Sequence, residues 1–283
     1  MNDSQIVIIG ANGQLGLALQ KRYPNARAVD SDQLDITNDS SIDSFDWSNT
    51  THIINAAAYT NVDGAETPDG RRLSWAVNAV GPSNLSRLSS KRDITLVHIS
   101  SDYVFDGSAS PHVENEPFSP LGVYGQSKAA GDIAVGLAPK HFIVRTSWVI
   151  GDGKNFIRTM IGVAEKNISP DVVGDQIGRL TFTSTLVDAI NHLLTHGAPY
   201  GTYNVSNDGN ASSWADITRT LFSKINRGDL TVTDITTEQY FASKPESAPR
   251  PLQSTLDLNK IQSIGFHPQS WESALDTYLA SIT

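Results

Sequence analysis

The chain contains no cysteine, which excludes disulfide staples, thiol nucleophiles and thiolate metal sites. It has no N-terminal apolar core of the kind that directs secretion and no apolar run long enough to span a bilayer, so the expected location is the cytoplasm. An excess of positive charge is missing too: 21 Lys and Arg against 30 Asp and Glu leave a formal charge of −9, which on average repels nucleic acid and anionic lipid. Any anionic ligand must therefore be met by local donors. Internal repeats and low-complexity tracts are also absent. What is present is a chain of 283 residues, enough to bury a sizeable core in one large domain or in a larger and a smaller one.

The first half alternates. Apolar runs suited to buried strands fall near 5–9, 26–30, 51–55, 94–100 and 141–147, with helical patterns near 14–22, 39–46, 73–91 and 124–137. That order predicts an α/β fold with a doubly wound, Rossmann-like parallel sheet. Asn38 or Asp39 is placed to cap one helix, and Gly136 to end another. After Ser147 the rhythm loosens around Gly151-Asp152-Gly153, Gly197-Ala198-Pro199 and Asn207-Asp208-Gly209. The expected division is a dinucleotide-binding part over 1–147, joined by some later elements, and a smaller interleaved substrate lobe over 148–283.

Between the first strand and the first helix lies Gly10-Ala-Asn-Gly13-Gln14-Leu15-Gly16. Glycines there permit a tight turn and close approach of backbone to a pyrophosphate, which the free N–H groups and positive end of the helix favour. The spacing is G-x-x-G-x-x-G, and a structural turn remains the alternative. Asp30 ends the second strand about 20 residues on, where a carboxylate binds an adenosine ribose 2′-hydroxyl and repels a 2′-phosphate. This leans to NADH, although Arg27 or Ser31 would support a phosphate, so the cofactor expectation is NADPH or NADH.

The second motif is Tyr124-Gly-Gln-Ser-Lys128, whose tyrosine and lysine are one turn apart on a helix. A free phenol titrates at about 10, so acid–base work near neutrality calls for a neighbouring ammonium that stabilises the phenolate. An amphipathic helix with an exposed lysine is the bland alternative. Ser100 and Ser101, at the end of the strand reaching Ile99, supply small hydroxyls where open α/β sheets bind ligands.

The chain resembles the extended short-chain dehydrogenase/reductases, and within them the dTDP-4-dehydrorhamnose reductase branch. The resemblance runs nearly end to end, through Gly10–Gly16, Asn55-Ala-Ala-Ala-Tyr-Thr-Asn-Val-Asp-Gly-Ala-Glu66, Val77-Asn78-Ala-Val-Gly-Pro82, Ser100–Gly107, Tyr124–Lys128, Arg145-Thr-Ser-Trp148 and Ala248-Pro-Arg-Pro251. It implies reduction by NADPH or NADH of the C4 ketone of a dTDP-linked 4-keto-6-deoxyhexose, dTDP-4-dehydro-L-rhamnose, to dTDP-L-rhamnose. By the same resemblance Tyr124 is the proton donor, Ser101 bonds the carbonyl oxygen, and Lys128 holds the nicotinamide ribose and lowers the tyrosine pKa. Asp35 and Ile36 lie beside the adenine, Ala58, Tyr59, Thr60 and Ile99 along the cofactor, and Asp102, Tyr103 and Trp148 in the sugar pocket. Gln14 and Leu15 open the helix that meets the diphosphate.

Some residues stand outside this set. Arg250, between two prolines, could meet a substrate diphosphate with its planar fork or be a surface arginine. Segment 106–123 is long and irregular, either a surface loop or a flap over the nicotinamide end. His192 and His196 have an i,i+4 spacing that can ligate metal, but with no third ligand in view the expectation is no metal. The family pattern departs at Ser101, usually threonine, and at Leu180, often proline. Ala18 replaces a glutamate that bridges magnesium between subunits in some dimeric relatives, which implies a monomer or a weak homodimer without that metal. A non-catalytic regulatory subunit of the methionine adenosyltransferase type and a nucleotide-sugar epimerase remain alternative readings.

Overall fold

All four residues of Ile6–Ile9 are buried, yet they serve two different cores, because successive strand side chains point to opposite faces. Ile6 and Ile8 pack with Leu15, Leu19, Leu186 and Ile190. Val7 and Ile9 pack with Ile42, Leu85, Leu88 and Val135. A continuous apolar strand of this kind requires helices on both sides of its sheet. The computed structural model, which describes residues 2–282 except Pro245, shows that arrangement.

The first half runs β1 Ile6–Ile9, α1 Gln14–Arg22, β2 Arg27–Val29, α2 Asp39–Ser44, β3 His52–Asn55, α3 Pro68–Trp75, α4 Gly81–Arg92, β4 Thr95–Ser101, α5 Val123–Val135 and β5 His141–Thr146. There follow β6 Val149–Ile150, α6 Phe156–Glu165, β7 Asp171–Val173, β8 Ile177–Gly178, β9 Thr181–Phe182, α7 Thr183–Thr195 and β10 Gly201–Asn204. The chain ends with β11 Ser212–Ser213, α8 Trp214–Lys224, β12 Thr233–Ile235, α9 Thr237–Phe241, α10 Asn259–Ser263 and α11 Trp271–Ile282.

The main sheet has the order β10-β5-β4-β3-β1-β2, and every neighbouring pair in it is parallel. From β1 the chain turns to β2 on one side and then crosses to β3 on the other, so the crevice beyond β1 and β3 is the switch point where such sheets bind ligands. Although β10 and α7 lie late in the chain, they complete the edge and one face of this sheet. A further core joins Ile157 of α6, Leu221 and Phe222 of α8, and Trp271 and Leu275 of α11. No helix among the described residues is long and apolar enough to cross a membrane.

One sequence expectation needs correction. The helix expected over 73–91 starts at Pro68, capped by Thr67, whose hydroxyl accepts from Gly70 N at 3.1 Å. It reaches α4 through a π-turn at Ala76–Val80. The first turn is polar and gives no apolar periodicity, so the cap alone marks it.

Segment 106–123 contributes no residue to the lining of the cavity described below. His112 is fully buried and stacks on Phe105 at 4.6 Å. Its backbone donates to Thr255 O at 2.8 Å, and its carbonyl accepts from Asp257 N at 2.8 Å and from Asn204 Nδ2 at 2.9 Å. Arg145 Nη1 donates to Glu114 O at 2.9 Å. These bonds fasten the segment to β5, β10 and the stretch 255–257.

Candidate active site

A cavity of about 680 Å³ opens at the carboxyl ends of β1, β3 and β4. Its upper wall is the glycine turn. Gly10 has φ +83°, and a Cβ there would lie 2.6 Å from Ala57 N. A Cβ on Gly16 would lie 2.1 Å from Gly10 O. These two glycines are required by the protein itself. Gly13 differs: a Cβ there meets nothing nearer than 3.5 Å, so its bareness serves what approaches from the cavity. Gly13 is also the N-cap of α1 and offers no side-chain cap, which leaves first-turn N–H groups facing the cavity as donors for an anion. A dinucleotide diphosphate fits that cradle.

Gln14 and Leu15 line this wall. Gln14 Oε1 accepts from Gly151 N at 2.9 Å, tying α1 to the loop that closes the far side. Asp30 lies beyond the turn, held with one carboxylate oxygen on Asn12 N at 3.0 Å and the other on Ser31 N at 2.8 Å. Asp35 accepts from the backbone and hydroxyl of Thr37 at 2.9 and 2.7 Å. Ile36, expected beside the adenine, turns its side chain into the core. It is 4 % exposed and packs under α4, where a Cβ on Gly81 would meet its Cδ1 at 2.6 Å.

Ala58 and Thr60 line the cavity, while Tyr59 is fixed by its backbone. Its N–H donates to Asn78 Oδ1 at 2.9 Å and its carbonyl accepts from Asn78 Nδ2 at 3.0 Å. Asn78 sits in the π-turn and also donates to Ser127 Oγ on α5 at 3.1 Å. One amide thus locks the strip after β3 to the helix that carries the tyrosine, and a π-turn at a functional site has precedent in general. The motif around Asn78 is visible in sequence, but its partners are not.

The floor is formed by Ile99, Ser101, Asp102, Tyr103, Tyr124 and Lys128. Helix α5 starts at Val123, whose N–H donates to Glu66 Oε1 at 2.8 Å, a cap supplied from another element. Lys128 is 1 % exposed and its Nζ donates to Ile99 O at 2.6 Å. Burial pushes Lys128 down to about 8, opposed by Asp132. Burial pushes Tyr124 up to about 12, with the Ser101 hydroxyl opposing it and Asp102 and Asp132 adding to it.

At Tyr124 burial is the largest influence. The ammonium is engaged by a carbonyl, and desolvation of the phenolate dominates. Asp102 is 2 % exposed and accepts from Ser101 Oγ at 3.0 Å. Burial raises its carboxyl to about 6, against the hydroxyls of Ser254 and Ser101. Tyr103 packs edge-on against Tyr124 at 5.4 Å.

Tyr103 and Trp148 also line a second cavity, of about 420 Å³. Trp148 has φ +47°, a conformation that L side chains rarely adopt, and its indole stacks on Trp214 at 3.7 Å. Phe156 tilts against Trp214 at 4.4 Å. Trp214 Nε1 donates to Gln176 Oε1 at 3.2 Å. Trp214, Phe156 and Gln176 carried no signal in the sequence. Arg250 lines this second cavity, with Nη2 on Asp63 at 2.7 Å and Nη1 on Ala248 O at 2.8 Å. Its charge is thus already matched by a carboxylate. His192 Nε2 donates to Ile264 O, 2.8 Å away, and its ring stacks on that of His196. Among the described residues no group of three potential ligands could hold a metal ion.

The family model described as RmlD substrate binding domain matches residues 4–283. The chain belongs to that family. Among relatives of this RmlD-family chain, a dTDP-4-dehydrorhamnose reductase of Aggregatibacter actinomycetemcomitans is 38% identical, over 96% of this chain and 97% of that protein. The spore coat polysaccharide biosynthesis protein SpsK of Bacillus subtilis (strain 168) is 34% identical over 98% of this chain and 97% of that one. A crystal structure of dTDP-4-dehydrorhamnose reductase from Bacillus anthracis str. Ames in complex with NADP has a TM-score of 0.90 and 37% identity, covering 98% of each chain. The Rossmann-like fold of the extended short-chain dehydrogenase/reductases is shared along nearly the whole length.

Proposed function

We propose that this RmlD-family chain reduces the C4 ketone of dTDP-4-dehydro-L-rhamnose to dTDP-L-rhamnose with NADPH or NADH. The observation that carries the reading is the convergence of Tyr124, Lys128 and Ser101 on the cavity whose upper wall is the glycine turn. The relatives named for this reaction, and the neighbour with bound NADP, support it.

The reduced dinucleotide, when bound, supplies a hydride. First-turn N–H groups at Gln14 and Leu15 would hold its diphosphate, Asp30 would accept from ribose hydroxyls, and Lys128 would donate to those of the nicotinamide ribose. Tyr124 is neutral at working pH, so it enters the reaction as an acid. As negative charge develops on the ketone oxygen, Tyr124 gives up its proton there, and transfer from a phenol to an alkoxide runs downhill. Ser101 donates a hydrogen bond to the same oxygen. Asp102, Tyr103 and Trp148 frame the sugar, and Arg250 and Trp214 border the path of the nucleotide.

In this reading residues 1–147 form the dinucleotide-binding part and 148–283 mainly the substrate lobe, in a cytoplasmic monomer or weak homodimer without bridging magnesium. The test is a coupled assay in which dTDP-4-dehydro-L-rhamnose is offered with each reduced dinucleotide and nicotinamide absorbance is followed. Net oxidation supports the reductase. An epimerase returns its cofactor unchanged and a regulatory subunit turns nothing over, so a flat trace with both dinucleotides sinks the proposal.

A further inference from the structure

Beneath the floor of the active site, sealed from solvent, lies a charged cluster that the reductase mechanism does not use. Asp132 is one turn beyond Lys128 on α5, as Lys128 is one turn beyond Tyr124, so the three side chains share one helix face. Asp132 is 2 % exposed and Arg145 3 %. Arg145 Nε donates to Asp132 Oδ2 at 3.0 Å, while Oδ1 lies 4.0 Å from His98 Nε2. His98 Nδ1 is turned to the Asn55 amide at 3.1 Å.

We propose that Asp132 is a positioning residue whose carboxylate keeps the Lys128 ammonium charged and directed at the Ile99 carbonyl, and thereby sets the upper pH limit of dinucleotide binding. The inference rests on the reading of Lys128 as the ribose-holding cation. A buried ammonium needs a counter-charge, and the charged groups around Lys128 can be enumerated element by element. On α5 they are Tyr124 and Asp132. From β5 comes Arg145, a second cation that cannot compensate the first. From β4 comes His98, which burial holds neutral, and just past its end Asp102, turned to Ser101. The side of α3 and the π-turn offers Ser74 and Asn78, both uncharged, and Glu66 is engaged at the helix start. Asp132 is the one carboxylate on the lysine's own face. It opposes the burial that pushes Lys128 down to about 8. Removing it would leave two buried cations facing each other.

The test measures NADH and NADPH dissociation constants by tryptophan fluorescence from pH 6 to 10, with the fold checked by circular dichroism. In the natural chain affinity should fall above about pH 8, where Lys128 deprotonates. In D132N the fall should begin at least one pH unit lower, a tenfold weaker affinity at pH 8.5, and D132E should restore the original limit. A merely structural role would lower the melting temperature and leave the limit in place, and that result overturns the proposal. Should D132N fail to fold because Arg145 loses its partner, D132N/R145Q removes both charges. Compared with R145Q, which shares the neutral residue at 145, its limit should be lowered, and equal limits in R145Q and D132N/R145Q overturn the proposal. Should the natural chain bind neither dinucleotide, the reductase reading falls instead. The role of Asp132 is then decided by the pH midpoint of Lys128, read from its Cε chemical shift in carbon-13-labelled protein: a midpoint at least one unit lower in D132N supports it, and an unmoved midpoint overturns it.

Discussion

Around Tyr124 the walls are polar groups that hold one another, whereas around Trp214 they are rings that merely touch. Lys128, Asn78 and Arg145 are each buried and each bonded at named atoms to another element, and the buried Asp102 accepts from its neighbour Ser101. Trp148, Trp214 and Phe156 make a stacked, half-open group with a single side-chain hydrogen bond from an indole to Gln176. Buried polar contacts tolerate little displacement, because an unmade bond there is expensive. Ring contacts lose little when they slide. The first region is built to fix reacting atoms, and the second to accept a flat ligand of variable pose.

The sharpest way to break this contrast is Y124F. It removes one hydroxyl from the rigid region and should lower kcat by about a thousandfold, within the range of general acid catalysis, with dinucleotide affinity unchanged in a fluorescence titration. Near-normal turnover would refute the assigned acid. W214A addresses the compliant region. Loss of a stacking face worth roughly 1–3 kcal/mol should raise KM for the nucleotide sugar about tenfold or more and leave kcat nearly intact. A fall in kcat with unchanged KM would show that the rings position reacting atoms after all.

Asp30 sits at the border of neither region and tests cofactor choice. Because its carboxylate is pinned by Asn12 and Ser31, D30S should shift the NADPH-to-NADH ratio of kcat/KM by about tenfold toward NADPH. An unaltered ratio would remove Asp30 from the ribose site. The smallest effect is expected from Asp102, whose carboxyl is raised by burial to about 6 from 3.8. A raised carboxyl contributes stability below its unfolded value that is lost as pH climbs through the folded one. Melting temperatures of D102N relative to the natural chain should therefore gain a few degrees between pH 4 and 6 and hold that gain above. A difference that does not vary with pH would show that Asp102 is ionised throughout.

Much of the rigid region was legible because its logic is local. Gly10, Gly13 and Gly16 follow an apolar strand, and Tyr124 and Lys128 are a helix turn apart. Trp148 was accessible only through family resemblance. Its partner Trp214 lies on another helix, with no periodic relation to it. The same holds for the fastening of segment 106–123, where a polar stretch reads as exposed although His112 is fully buried. Hydropathy cannot anticipate a histidine held between the Glu116 carboxylate of its own segment and the carbonyl of Gln253, since that second partner is a tertiary neighbour.

By itself the sequence determined the alternation of strand and helix, the bare turn before α1, and the shared face of Tyr124 and Lys128. Each is a consequence of short-range geometry, set by side-chain period, glycine conformation and helix pitch. Only the tertiary structure decided which charges share the sealed space under the site, that burial raises the Tyr124 phenol above its ordinary value, and that Arg250 is met by Asp63. Those outcomes depend on desolvation and on partners distant in the chain, quantities that come into being only once the sheet has closed over them.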